Sequence, residues 1–192
     1  MLVVWITGTL GAGKGTISDY LVKKWFAHYS VSDYIAVEIK HRGLEVNRDS
    51  MYAVGWDLKQ KFGPDFIVKE LYNKAKAEWT NAIIESIRSP GEVAGLKQLD
   101  DFVLLSVDAD QKIRYARIRL RNSVKDQVDF DTFAANEARE LQASDDPTKI
   151  NLPACIALAD YKLSNDWTFE ELYAQVDEAL QELRTQNLEL RT

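Results

Sequence analysis

The sequence predicts a three-layer α/β/α sandwich around a mainly parallel, five-stranded sheet. Three observations predict it. Residues 2–6 and 102–107 are continuous apolar, β-rich runs, the pattern of strands buried on both faces. Strand-like runs alternate with helical ones along the chain, which supplies the crossovers a parallel sheet needs. A glycine-rich turn joins the first strand to an amphipathic helix.

The elements follow in order. After the opening strand, a helical pattern spans Lys14 to Tyr29, with Ile17, Leu21, Trp25 and Tyr29 recurring every fourth residue on one face. The second strand has the weakest signal and is placed near His28 to Val31, overlapping that helix. Ser32 and Asp33 are expected to cap a helix running to His41, with Gly43 as its stop. Asn47 caps another from Arg48 to Lys61, ended by Gly63-Pro64, and a fourth runs from Asp65 into Lys76. Residues 82–87 read as a strand in competition with an extension of that helix. Ser89-Pro90 opens the next helix, with Glu92 near its positive end. A basic helix covers Gln111 to Asn122, and a further one Asp129 to Leu141. A short strand covers Ala159 to Leu163. The capping box Thr168-Phe-Glu-Glu171 starts the last helix, whose core face is Phe169, Leu172, Val176, Leu180 and Leu183 and whose tail frays after Arg184.

Composition bounds the function. A chain of 192 residues, 46% hydrophobic, suits one domain, residues 1–192, with a full core. A net charge of −6 argues against general nucleic-acid binding but permits a local basic pocket. The single cysteine, Cys155, cannot close an internal disulfide and reads as a small buried apolar residue. The apolar N-terminus lacks a basic leader and is too short to span a bilayer, so the expectation is a cytoplasmic protein without membrane or nucleic-acid partners. His28 and His41 are isolated, and no Cys/His spacing suggests zinc.

The chemistry is carried by Gly8-Thr9-Leu10-Gly11-Ala12-Gly13-Lys14-Gly15-Thr16, between strand and helix. Glycines let backbone N–H groups turn inward around phosphates, and the helix N-terminus adds its positive dipole end. Lys14 supplies a mobile cation for β- and γ-phosphates. The generic loop has Ser or Thr directly after the lysine; here Gly15 intervenes before Thr16.

That Gly-Lys-Gly-Thr ending resembles the nucleoside monophosphate kinases, such as the adenylate kinases. Beyond the loop, the chain is similar to dephospho-CoA kinase and dephospho-CoA-kinase-like P-loop proteins. The resemblance implies ATP and Mg2+ as cofactors, with magnesium held largely by phosphates and water and only indirectly by Thr16 and Glu85. It also implies an acceptor-binding helical segment at about 32–78 and a helical lid at about 110–142. In relatives the strand corresponding to Ile84-Glu85-Ser86-Ile87 ends in Asp-Gly, followed by an arginine near the phosphates. Here Glu85 and Ser86 replace that pair and Arg88 follows. Lys112, Arg114, Arg117, Arg119, Arg121 and Lys125 lie with no acid between them, and Arg114, Arg117 and Arg121 share a helical face. The resemblance makes that face a lid, with Arg117 and Arg121 aimed at the transferring phosphoryl. The loop at Asn165 and Asp166 corresponds to one beside adenine. In the acceptor segment, Ser32, Asp33 and Arg48 are candidates, Asp33 as a base or a cap and Arg48 with Arg88 as a phosphate clamp. Tyr34, Tyr52 and Trp56 either flank a base or pack the core.

The reading is a kinase moving the γ-phosphoryl of ATP to a nucleotide-like acceptor. Two acceptors remain open, a nucleoside monophosphate or a ribose hydroxyl as in dephospho-CoA. A non-catalytic ATP-binding regulatory protein is the alternative of another class. A GTPase is disfavoured, because no Asn-Lys-x-Asp segment occurs.

Overall fold

A computed structural model describes residues 1–99, 102–121 and 128–189. Its sheet has the order β2-β3-β1-β4-β5, with β1 Val3–Gly8, β2 Ala27–Ser30, β3 Ala82–Ile87, β4 Phe102–Asp108 and β5 Tyr161–Ser164, all pairings parallel. The strand β1 is central, and all six of its residues are buried. Alternate residues serve opposite faces, which is why the run is apolar throughout. Val3 and Trp5 join the core beneath α2 Val31–His41, α3 Arg48–Phe62, α4 Phe66–Ala77, α5 Pro90–Leu96 and α8 Leu152–Ala157. Val4 and Ile6 join the core beneath α1 Lys14–Val22 and α9 Phe169–Glu189. Trp5 is wholly buried, with Tyr72 and Phe102 each 6.2 Å away between ring centroids. The helices α6 Gln111–Leu120 and α7 Phe130–Glu140 follow the end of β4, on the edge from which the loops of the strands emerge.

The first helix is shorter than its periodicity predicts. It ends at Val22, and Tyr29 belongs to β2. Trp25 sits in the left-handed region at φ 68°, its N–H bonding the Val22 carbonyl (3.0 Å) while the Phe26 N–H reaches back to Leu21 (3.2 Å). That closure turns Phe26 into the core and leaves Trp25 89% exposed. No glycine or proline announces the turn; pairing of Ala27 with Ala82 in the neighbouring strand decides it. Three smaller corrections follow. Ser30, rather than Ser32 or Asp33, caps α2, its hydroxyl accepting from the Asp33 N–H (3.2 Å), because the strand ends one residue earlier than expected. Phe169 is 56% exposed and stacks on Tyr173 at 6.3 Å, as it starts α9 before the helix reaches the sheet. The helix α8 has no sequence forecast; it buries Cys155, whose thiol burial pushes up to about 12.

The last helix continues to Glu189, past the fraying expected after Arg184, and the helix starts at Asn47 and Ser89 hold. Asn47 and Ser50 form a reciprocal capping box at α3, and Ser89 with Glu92 forms another at α5. Gly43, at φ 70°, ends α2 with its N–H on the Lys40 carbonyl (3.0 Å) and that of Leu44 on Ile39 (3.1 Å). Among the described residues no helix is long and apolar enough to cross a membrane.

Trp5→Ala is expected to cost about 3–5 kcal/mol, the range for emptying a buried aromatic site. Trp25→Gly, by contrast, relieves a left-handed side chain and should gain about 1 kcal/mol. Urea unfolding followed by circular dichroism checks both.

Candidate nucleotide and acceptor site

The turn from β1 to α1 folds as its glycines require. Gly8 lies at φ 145° against the Val107 carbonyl, where a Cβ would collide with that oxygen. Gly13, at φ 110°, is the N-cap residue of α1, and a Cβ there would strike the Asn165 amide. Two side chains brace the turn from outside. Asn165 Nδ2 donates to the Ala12 carbonyl at 2.7 Å, and Arg114 Nη1 donates to the Leu10 carbonyl at 3.1 Å. Arg114 is itself buried, paired with Glu137 of α7 and donating through Nε to the Ala109 carbonyl at 2.7 Å. Thr9 donates its hydroxyl to Asp108 at the end of β4.

Lys14 is buried and bonds the Gly8 and Thr9 carbonyls, both at 2.8 Å. Burial pulls its ammonium pKa down to about 8 from 10.5; Arg88 and Arg121 push the same way, and Glu85 and Glu140 partly oppose them. The buried ammonium thus carries an uncompensated desolvation cost, which an anion beside it would relieve.

A cavity of about 370 Å³ opens beside it, at the carboxyl ends of β1, β2 and β3. Gly13, Lys14 and Gly15 form one wall, with Glu85, Ser86 and Arg88 next to them. Ser32 and Asp33 of α2 and Arg48, Tyr52 and Trp56 of α3 form the opposite wall. Arg121 closes one side with Asn136, Arg139 and Glu140 of α7. Parallel sheets place ligands here, where the strand order reverses about the central strand.

Arg88 is held from both sides of its backbone. Its N–H donates to Glu92 Oε2 at 2.9 Å, and its carbonyl accepts from the Asn151 N–H at 2.9 Å. Glu92 is buried and paired with buried Lys59 at 2.8 Å, so the helix α3 and the Arg88 turn are tied together beneath the cavity. The Arg88 guanidinium meets Glu140 at 2.7 Å, and Arg48 meets the same carboxylate oxygen at 3.7 Å. Its own Nε is buried without a hydrogen-bond partner.

Glu85 has a partner the sequence did not suggest. His28 on β2 lies 3.7 Å away. Burial pushes the Glu85 carboxyl up, but His28 and then Lys14 outweigh it and leave it below its ordinary value, while Glu85 lifts His28. Ser86 stands at φ 73°, a conformation that favours glycine. Beside it the pairing between β1 and β3 shifts from Ile6–Glu85 to Thr7–Ile87, a bulge that turns Glu85, Ser86 and Arg88 into the cavity lining. Here a serine stands in a left-handed position of the kind that glycine adopts without cost.

Several expected residues stand elsewhere. Asn165 is buried behind the loop and outside the cavity lining, its side chain committed to the Ala12 carbonyl. Arg117 also lies outside the lining, its guanidinium held by the Asn165 carbonyl at 2.8 Å. Arg114 is no free member of a cationic face, because Glu137 folds in from α7. Thr16 is half-buried and outside the lining, and Tyr34 packs edge-on against Phe66 at 6.5 Å. Lys125 and Asn122 lie outside the described residues. Among the described residues no group of three or more His, Cys, Asp or Glu could hold a metal. Glu85 lies beside Lys14 in the lining, so a magnesium ion fits only if phosphate oxygens complete its shell.

The AAA domain family profile matches residues 4–142. The chain belongs to the AAA domain family. A UPF0200 protein of Methanocaldococcus jannaschii is 30% identical over 187 residues, which cover 95% of this chain and 91% of that protein, so this AAA domain protein belongs with the UPF0200 proteins too. Among solved structures, TT1252 from Thermus thermophilus superposes with a TM-score of 0.65 at 16% identity, over 95% of this chain and 97% of that one. The shikimate kinase of Aquifex aeolicus superposes with a TM-score of 0.54 at 15% identity, over 97% and 99%. At such identities the likeness is one of fold, and the fold is that of the P-loop kinases.

Two outcomes follow. Ser86→Gly should stabilise the fold by about 1 kcal/mol by removing left-handed strain, measured by urea unfolding. Since the folded pKa of Lys14 lies below its unfolded value, its burial cost is full below about pH 8 and fades as pH rises toward 10.5. Lys14→Met should therefore be more stable than the parent at pH 7, with the gap narrowing above pH 8, as read by denaturant midpoints across that range.

Proposed function

We propose that the protein is an ATP-dependent phosphotransferase that moves the γ-phosphoryl of ATP onto a small acceptor seated against α2 and α3, with a nucleoside monophosphate as the leading acceptor. The observation that supports it most is the convergence of Lys14, Arg88, Arg121 and Arg48 on one cavity that joins the phosphate loop to the acceptor helices. Donor phosphates would lie over the loop amides and Lys14. Bound magnesium would neutralise phosphate charge, with Glu85 ordering its water. Arg88 and Arg121 stand where charge on the transferring group would fall, and catalysis of this kind needs positioning and charge rather than a covalent intermediate.

The acceptor side favours an anion beside an aromatic ring. Arg48 and Arg88 form the cationic end of the cavity, and Tyr52 with Trp56 lines the wall next to it. Asp33 lines the same wall and supports a second reading, a hydroxyl acceptor such as the ribose of dephospho-CoA, with Asp33 as base.

A coupled ADP-release assay with nucleoside monophosphates and dephospho-CoA tests the reading. Acceptor-dependent turnover is expected, and Lys14→Ala should lower it by about 100-fold or more, as removal of a group that meets developing charge does. ATP binding without turnover on any acceptor would replace it with the regulatory alternative.

A further inference from the structure

We propose that the Glu140 carboxylate is a displaceable stand-in for the acceptor's anionic group and so selects which acceptors the cavity admits. The inference deepens the kinase reading and rests on it.

Glu140 is the last residue of α7 and is buried against the cavity. One of its oxygens is shared by two guanidinium groups, Arg88 at 2.7 Å and Arg48 at 3.7 Å, which come from separate elements. Both charges flanking this contact are placed against their own helices. A carboxylate at a helix C-terminus meets the negative end of the dipole, and Arg48 begins α3, at the positive end. The contact is therefore an ion pair held by the cavity rather than by its helices. It is also incomplete. Glu140 engages Nη1 of Arg88 while Nε, on the other side of the guanidinium, stays buried without a hydrogen-bond partner, whereas an incoming oxyanion could use the planar fork of Nε with Nη2.

The rest of α7 is anchored one turn earlier, where Glu137 pairs with buried Arg114 and accepts from Gln111 of α6. Displacing Glu140 therefore frees the final turn while the helix keeps its seat. An anionic acceptor repairs the charge that Glu140 leaves behind. A neutral acceptor would leave the Arg88 guanidinium unanswered, at a cost that excludes it.

The test first measures ADP binding, then titrates orthophosphate and, separately, acetate into the ADP-saturated protein at constant ionic strength by calorimetry. Glu140→Gln is expected to bind at least one of these anions about tenfold more tightly or better than the parent, and adding Arg88→Met should abolish the gain. A gain for phosphate alone assigns a phosphorylated acceptor, and one for acetate alone a carboxylic acid. Glu140→Asp keeps the charge but withdraws it by one methylene, and should fall between; it carries the test if the glutamine variant does not fold. Unchanged or weaker binding of both anions, with ADP still bound, overturns the role of Glu140 and leaves the kinase reading standing. Failure of ADP to bind overturns both.

Discussion

Two side chains hold the phosphate loop by its carbonyls, and the rest of the site depends on that hold. A turn whose N–H groups face inward must send carbonyls outward, and buried carbonyls need donors. Asn165 answers Ala12 and Arg114 answers Leu10. The first comes from the end of β5 and the second from α6, more than a hundred residues from the loop. Each brace is secured in turn, Arg114 by Glu137 and the Asn165 carbonyl by Arg117. The loop is thus shaped by the protein's own side chains, and preorganisation of that kind lowers the ordering cost of binding a ligand.

The electrostatics follow one pattern. Buried and half-buried cations in and behind the cavity wall are met by carboxylates from other segments: Lys59 by Glu92, Arg114 by Glu137, Arg88 by Glu140. Buried pairs of this kind add little net stability, because desolvation offsets their attraction. Their value here is direction. Glu92 fixes both the backbone of Arg88 and the ammonium of Lys59. Lys14 differs, since its hydrogen bonds go to carbonyls, and its pKa is lowered first by burial and then by Arg88.

Ser86 joins backbone to site. Its left-handed φ lies at the bulge between β1 and β3, between the two cavity residues Glu85 and Arg88. Strain of about 1–3 kcal/mol persists only where the surroundings fix it. Here parallel pairing on both sides of β1 and the bond from Thr7 to the Ile87 carbonyl, 2.7 Å, supply that constraint.

The sequence by itself determined the layered fold, the phosphate loop and most helix starts. Apolar runs, glycine spacing and the boxes at Asn47, Ser89 and Thr168 act over a few residues, so they are written locally. It also marked Lys14, Glu85, Arg88, Arg121 and Arg48, which the fold gathers in one cavity. Only the tertiary structure decided the rest. The first helix stops at Val22 because β2 pairs with β3, a contact some fifty residues away in the chain. Asn165 and Arg117 are turned to bracing, His28 is set beside Glu85, and Glu140 is set between two arginines by packing between elements. A residue type and its spacing specify which charge is available, but not which opposite charge reaches it, because ion pairs and sheet pairings are made across space rather than along the chain.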